Sequence, residues 1–146
     1  MNLDTTYLER CIATLEKAFS LLKRADEDST DYDMYRSACV KEFEIILEQS
    51  GKLVKKFLKP YFSSSKQVDE LFFKDIFRHA ALHSIISVEA SERWLQYRDN
   101  RNTTAHDYGA GFANETILLL PNFIIDAKAL VKAIQTKANN ENQNKG

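Results

Sequence analysis

The sequence predicts an all-α fold, an antiparallel up-and-down four-helix bundle with a kinked C-terminal helix. Turn formers are scarce, with four glycines and two prolines in 146 residues, too few for a many-stranded sandwich or barrel. Apolar residues recur at helical spacing through most of the chain. The segments between them are short and polar, which suits helices packed beside their neighbours. At 16.8 kDa the chain is the size of one domain, expected over residues 1–138 with a disordered polar tail at 139–146.

In the first element Leu8, Ile12, Leu15, Phe19 and Leu22 are spaced 4, 3, 4 and 3, one apolar stripe on a helix from about Asp4 to Ala25. Asp26 to Asp31 is a run of short polar residues and reads as a surface loop. A second helix follows from about Tyr32 to Leu58, its apolar face broad enough to touch two neighbours, and Pro60 ends it. Ser63-Ser64-Ser65 supplies a cap. Val68, Leu71, Phe72, Ile76 and Ala80 then carry one third helix to about Ser84.

Ser87 begins a fourth helix, unless Ile85 to Val88 join the two continuously, and Gly109 and Gly111 close it. Ala113 to Ala138 is the last helix, with Pro121 imposing a kink or a break near Leu118. Cys11 and Cys39 fall at apolar positions of separate helices and are expected to be reduced core residues. A net charge of −1 gives no global attraction to nucleic acid, so any such contact needs a local basic patch. Neither a signal peptide nor a membrane span is expected, since the longest strongly apolar stretch, Ile117 to Leu120, stops at Pro121; a cytoplasmic location follows.

Chemistry concentrates in Arg101-Asn102-Thr103-Thr104-Ala105-His106-Asp107-Tyr108. A guanidinium forks onto phosphate oxygens, an imidazole moves protons near neutral pH, and a phenol can accept a transferred group. On a regular helix residues five apart point about 140° away from each other, so a helix end between Thr103 and Tyr108 is expected to let His106 swing toward Arg101. Asn102 and His106 share a face even if the helix persists. RNA cleavage without a metal needs a base, an acid and a cation for the phosphorane charge. With only three histidines in the chain, two of them on another helix, a homodimer pairing two copies of the segment supplies base and acid together. A plainer alternative has the arginine capping a helix and the histidine filling a bonding role.

RNTTAHDY resembles the R-x4-H-x-Y signature of the HEPN superfamily, in particular the small helical proteins encoded beside minimal nucleotidyltransferases, also called nucleotidyltransferase substrate-binding proteins. Lys41-Glu42-Phe43-Glu44 on a long second helix and Trp94-Leu95 before the motif fit the same family, over about residues 5–138. The resemblance implies a toxin of a toxin–antitoxin pair, a metal-independent endoribonuclease with Arg101 and His106 as its catalytic pair and Asn102 beside them. It also implies that a cognate minimal nucleotidyltransferase silences the toxin by transferring AMP to Tyr108, placing negative charge next to Arg101. The alternative within the family is a non-catalytic nucleotide- or substrate-binding accessory subunit. Thr103 stands where relatives often carry an apolar residue. No cofactor is called for.

Other groups leave two readings each. Lys52, Lys55, Lys56 and Lys59 share one face of the second helix, either a solvated face near a helix C-terminus or a docking strip for RNA. Asp75, His79 and His83 lie at i, i+4 and i+8; packing is the expected role, and no metal site is called, because the glutamate of an H-E-x-x-H motif is missing. Glu44 and Glu48 either bond Arg101 or form an exposed pair. Trp94, Tyr97 and the phenylalanines are expected in the core or a dimer interface rather than stacking on bases.

Overall fold

The computed structural model describes residues 3–103 and 110–144. Every regular element among them is helical: α1 Thr6–Arg24, α2 Thr30–Leu58, a 3-10 turn Lys59–Tyr61, α3 Ser65–Asp69, α4 Phe73–Leu82, α5 Val88–Thr103 and α6 Ala110–Asn144. The all-α bundle expected from the sequence is the fold observed. Cross-helix bonds set its directions. Gln135 of α6 donates to Thr5 and Glu9, and Lys128 to Glu16, so α6 runs antiparallel to α1. Arg93 pairs with Asp126 and Asn100 with Thr116, so α5 and α6 are antiparallel too.

The stripe of α1 is buried at Leu8, Ile12, Leu15 and Leu22, and α2 faces it with Cys39, Phe43, Ile46, Leu47, Val54, Phe57 and Leu58. Ser29 starts α2 by accepting a hydrogen bond from the Tyr32 amide, satisfying one of the donors a helix start leaves open. Aromatic rings fill the centre. Phe123 of α6 lies 4.6 Å from Phe43, 5.7 Å from Trp94 and 5.0 Å from Tyr97, so one side chain ties α2, α5 and α6 together. Cys11 and Cys39 are free thiols in the buried core, as expected.

The single third helix is corrected to two. α3 stops at Asp69, where Lys55 Nζ donates to the Asp69 carbonyl, and Phe72 is extended with φ −75° and ψ 160° before α4 begins. The break has a packing reason. It leaves Phe72 79% exposed and turns Phe73 onto Gly51 of α2, where a side chain on residue 51 would meet the Phe73 ring at 3.2 Å. The sequence pattern concealed this, since Val68 and Ile76 keep helical phase across the gap.

A second break separates α4 from α5. Ser84 has φ 60°, its amide reaches the Ala81 carbonyl at 3.0 Å and the Ile85 amide reaches Ala80 at 2.9 Å, the paired bonds of a Schellman stop. Ser87 then caps α5 through the Ala90 amide, so the continuous join is ruled out. Of the kink or break expected at Pro121, the break is ruled out, because α6 is helical on both sides of it. Pro121 is exposed, so the hydrogen bond it cannot make is lost on the outer side, while buried Leu120, Phe123, Ala127 and Leu130 hold both halves to the core. Gly111 lies inside α6 rather than between helices, and α6 continues to Asn144, past residue 138. Gly109 and the end of α5 fall outside the described residues.

Candidate functional site

Arg101 sits on the last described turn of α5, and its Nε lies 3.7 Å from Glu44 Oε1 on α2. Both side chains are about one-third exposed, at 37% and 36%, so the guanidinium is oriented by a carboxylate yet open to solvent. Of the two expectations for Glu44 and Glu48, Glu44 takes the arginine and Glu48 pairs with Lys52 at 3.5 Å on its own helix. The side chain of Asn102, and the whole of His106 and Tyr108, lie outside the described residues.

What fixes the end of α5 is a network the sequence reading missed. Asp126 is 5% exposed and accepts three hydrogen bonds: Arg93 Nε and Nη2, each at 2.8 Å, and Tyr97 Oη at 2.6 Å. A buried carboxylate is costly unless its lone pairs are occupied, and here a forked guanidinium and a phenol occupy them. Burial, and the bond to Asp126, push the Tyr97 phenol well above its ordinary value, which keeps it a donor. One turn further along, Asn100 Nδ2 donates to Thr116 Oγ1 at 3.2 Å. Two clamps therefore pin α5 to α6 before Arg101. Their signal in the sequence was a lone acid inside the apolar run Phe123-Ile124-Ile125-Asp126-Ala127, with Arg93 and Tyr97 one helical turn apart.

The remaining candidates are dispersed. Lys52, Lys56 and Lys59 are exposed opposite buried Leu53, Val54, Phe57 and Leu58, while Lys55 is partly buried and donates to the Asp69 carbonyl. The lysine strip thus exists as a face, but it lies along the C-terminal half of α2 and is not joined to Arg101. His79 packs 5.0 Å from Phe62 and His83 4.2 Å from Tyr61, and Asp75 pairs with Arg78. Burial and the charges of His79 and Lys137 hold the His83 imidazole below its ordinary value. Trp94 and Tyr97 are fully buried, and the stacked Phe77 ring lies 4.7 Å from Trp94. Closer to Arg101, Arg98 lies 5.2 Å above the Phe73 ring and Lys74 reaches Asp99 at 2.8 Å, so the Phe73 turn is tied to the same stretch of α5. No helix among the described residues is long and apolar enough to cross a membrane.

The family model described as nucleotidyltransferase substrate binding protein like matches residues 5–136. The chain belongs to that family. A relative from Haemophilus influenzae named probable ribonuclease HepT is 27% identical over 105 residues, covering 72% of this chain and 70% of the relative. A solved Haemophilus influenzae structure, described as revealing the fold of a substrate-binding domain of a nucleotidyltransferase, superposes with a TM-score of 0.77 at 22% identity. It covers 90% of this chain and 99% of that one. At that identity the likeness establishes the helical fold, and the family membership rests on the model match.

Proposed function

We propose that the chain is a HEPN-type toxin, an endoribonuclease acting as a homodimer and silenced by AMP transfer from a cognate minimal nucleotidyltransferase. The observation that carries the proposal is Arg101: a half-open guanidinium, oriented by Glu44 and braced through α5, at the head of the sequence Arg101 to Tyr108. The name of the Haemophilus influenzae relative, a probable ribonuclease, supports the reaction class.

In the proposed reaction a neutral imidazole of His106 takes the proton from an RNA 2′-hydroxyl, whose oxygen attacks the adjacent phosphorus. The 5′-oxygen leaves with a proton from the imidazolium of the second copy, giving a 2′,3′-cyclic phosphate and a free 5′-hydroxyl. Arg101 stabilises the charge that builds on the phosphorane oxygens, and Asn102 is assigned a supporting contact beside it. In silencing, the Tyr108 hydroxyl oxygen attacks the α-phosphorus of ATP, its proton is released to solvent, and pyrophosphate leaves. The attached adenylate then competes with RNA phosphate for Arg101.

Arg101→Ala and His106→Ala should each abolish cleavage of RNA and growth inhibition with the far-UV circular dichroism unchanged; activity retained in either purified variant ends the proposal. Tyr108→Phe should block the mass gain of one adenylyl group on incubation with the transferase and ATP. The family description favours a second reading, an accessory subunit that holds nucleotide or substrate for the transferase without turnover. It predicts measurable ATP binding lost in Arg101→Ala together with no cleavage of any RNA by the unmodified chain.

A further inference from the structure

Where α2, α4 and the end of α5 meet, four cations have an acid in reach and one does not. Arg101 faces Glu44, Lys74 reaches Asp99, Arg78 lies beside Asp75 and Lys52 beside Glu48. Arg98 has no ion pair among the described residues. Its guanidinium lies 5.2 Å above the Phe73 ring instead, and that ring is seated on Gly51 of α2, where an added Cβ would meet it at 3.2 Å. Three helices thus hold in place a cation that pairs with no acid.

The charges around it indicate what it serves. Arg101 and Glu44 carry opposite unit charges 3.7 Å apart, so together they offer a polyanion little net attraction, and the whole chain stands at −1. Arg98 precedes Arg101 by three residues on α5, which puts their Cβ atoms about 5–6 Å apart on neighbouring turns. It supplies, beside Arg101, the positive charge that Glu44 cancels there.

We propose that Arg98 is a second phosphate contact of the ribonuclease site, holding the RNA phosphate next to the one at which Arg101 acts. The proposal rests on the ribonuclease reading above and adds a substrate requirement to it, at least two consecutive phosphates on one strand. A guanidinium forks onto phosphate oxygens, and one already laid on a ring loses less side-chain freedom when it does so. The contact lies away from the reacting bond and serves substrate and transition state alike. Its loss therefore falls on KM rather than on kcat.

The test is the binding of a fluorescein-labelled single-stranded RNA of about ten nucleotides, followed by anisotropy over a range of salt, with His106→Ala as the background so that the RNA stays intact. Arg98→Gln in that background should weaken binding about tenfold with unchanged circular dichroism, and lower the salt slope by about 0.7, the share of one phosphate on a single strand. Arg98→Lys should keep the slope and lose part of the affinity. In the otherwise unaltered chain Arg98→Gln should raise KM for RNA cleavage about tenfold with kcat within about twofold. If Arg98 only covers the Phe73 ring, Arg98→Gln lowers the melting temperature but leaves affinity and slope at the parent values, and the proposal is overturned. It is overturned too if RNA binding is untouched while binding of the cognate nucleotidyltransferase weakens, which would make Arg98 part of a protein interface. A chain that cleaves no RNA refutes the ribonuclease reading by itself, and Arg98 is then judged on the binding slope alone.

Discussion

Replacing Asp126 with alanine tests the brace that holds α5 against α6. The carboxylate accepts three hydrogen bonds, and its loss strands two donors of unequal kind. Tyr97 is 1% exposed, so its hydroxyl loses its partner where water does not reach, at about 1–3 kcal/mol. Arg93 is 40% exposed and can turn to solvent, so the 3–5 kcal/mol typical of a broken buried pair applies only in part, about 1 kcal/mol. The sum is about 2–4 kcal/mol, or a melting temperature lower by roughly 4–16 °C at about 2–4 °C per kcal/mol for a chain of this size. Urea unfolding followed by circular dichroism measures it. The companion Tyr97→Phe removes the hydroxyl that would be stranded, so the double variant should be less destabilised than the sum of the singles, by about 1 kcal/mol. A loss below about 1 kcal/mol in Asp126→Ala, or strict additivity, would refute the reasoning that a buried phenol depends on this carboxylate.

Ser84→Gly should stabilise the chain by about 0.5–1 kcal/mol in the same urea assay, because Ser84 occupies the left-handed region at φ 60°, which glycine enters without a Cβ penalty. His83 makes stability pH-dependent in a defined direction. Its folded pKa lies below the ordinary 6.5, so the unfolded chain binds the proton more tightly, and stability present above 6.5 is lost as the pH falls below it and through the folded value. His83→Gln should flatten the melting temperature between neutral and mildly acid pH relative to the parent chain, and an unchanged slope would rule the imidazole out as its source. Burial pushes the Cys39 thiol up to about 11, which leaves roughly one thiolate in a thousand at pH 8. Iodoacetamide should therefore label Cys39 only as fast as the chain opens, and rapid labelling in native buffer would contradict its place in the core.

Periodicity made the long helices legible. The α1 stripe and the broad face of α2 needed only a count of spacings, and Ser87 as a start for α5 needed only its side chain. What escaped were the places where a neighbouring helix decides. Residues 70–72 keep helical phase in sequence, yet the chain breaks there because Phe73 packs against Gly51, a contact that no local pattern encodes. The helix stop at about Ser84 was legible, but its form, a serine in a conformation usually left to glycine, was not. At Pro121 the sequence left a kink and a break open, and packing decides against the break, with Leu120 and Phe123 anchoring both sides of it. For the site, the motif named Arg101 and left Glu44 and Glu48 as open candidates to bond it, while the partner that positions α5 lies 33 residues from Arg93 and 29 from Tyr97 in the chain.

The position of Phe123 has a consequence for biosynthesis. Its ring fills the space between Phe43, Trp94 and Tyr97, and it belongs to α6, which is synthesised after the helices it joins. The 35 residues of α6 take about 2–7 s to synthesise at about 5–20 residues per second. Through that interval α1 and α2 can already pair, but the aromatic centre stays open and α5 has neither Asp126 nor Thr116 to bind. The Arg101 end of the molecule is therefore assembled only after α6 has been made, and a nascent chain arrested before Phe123 would carry Arg101 on an unbraced helix.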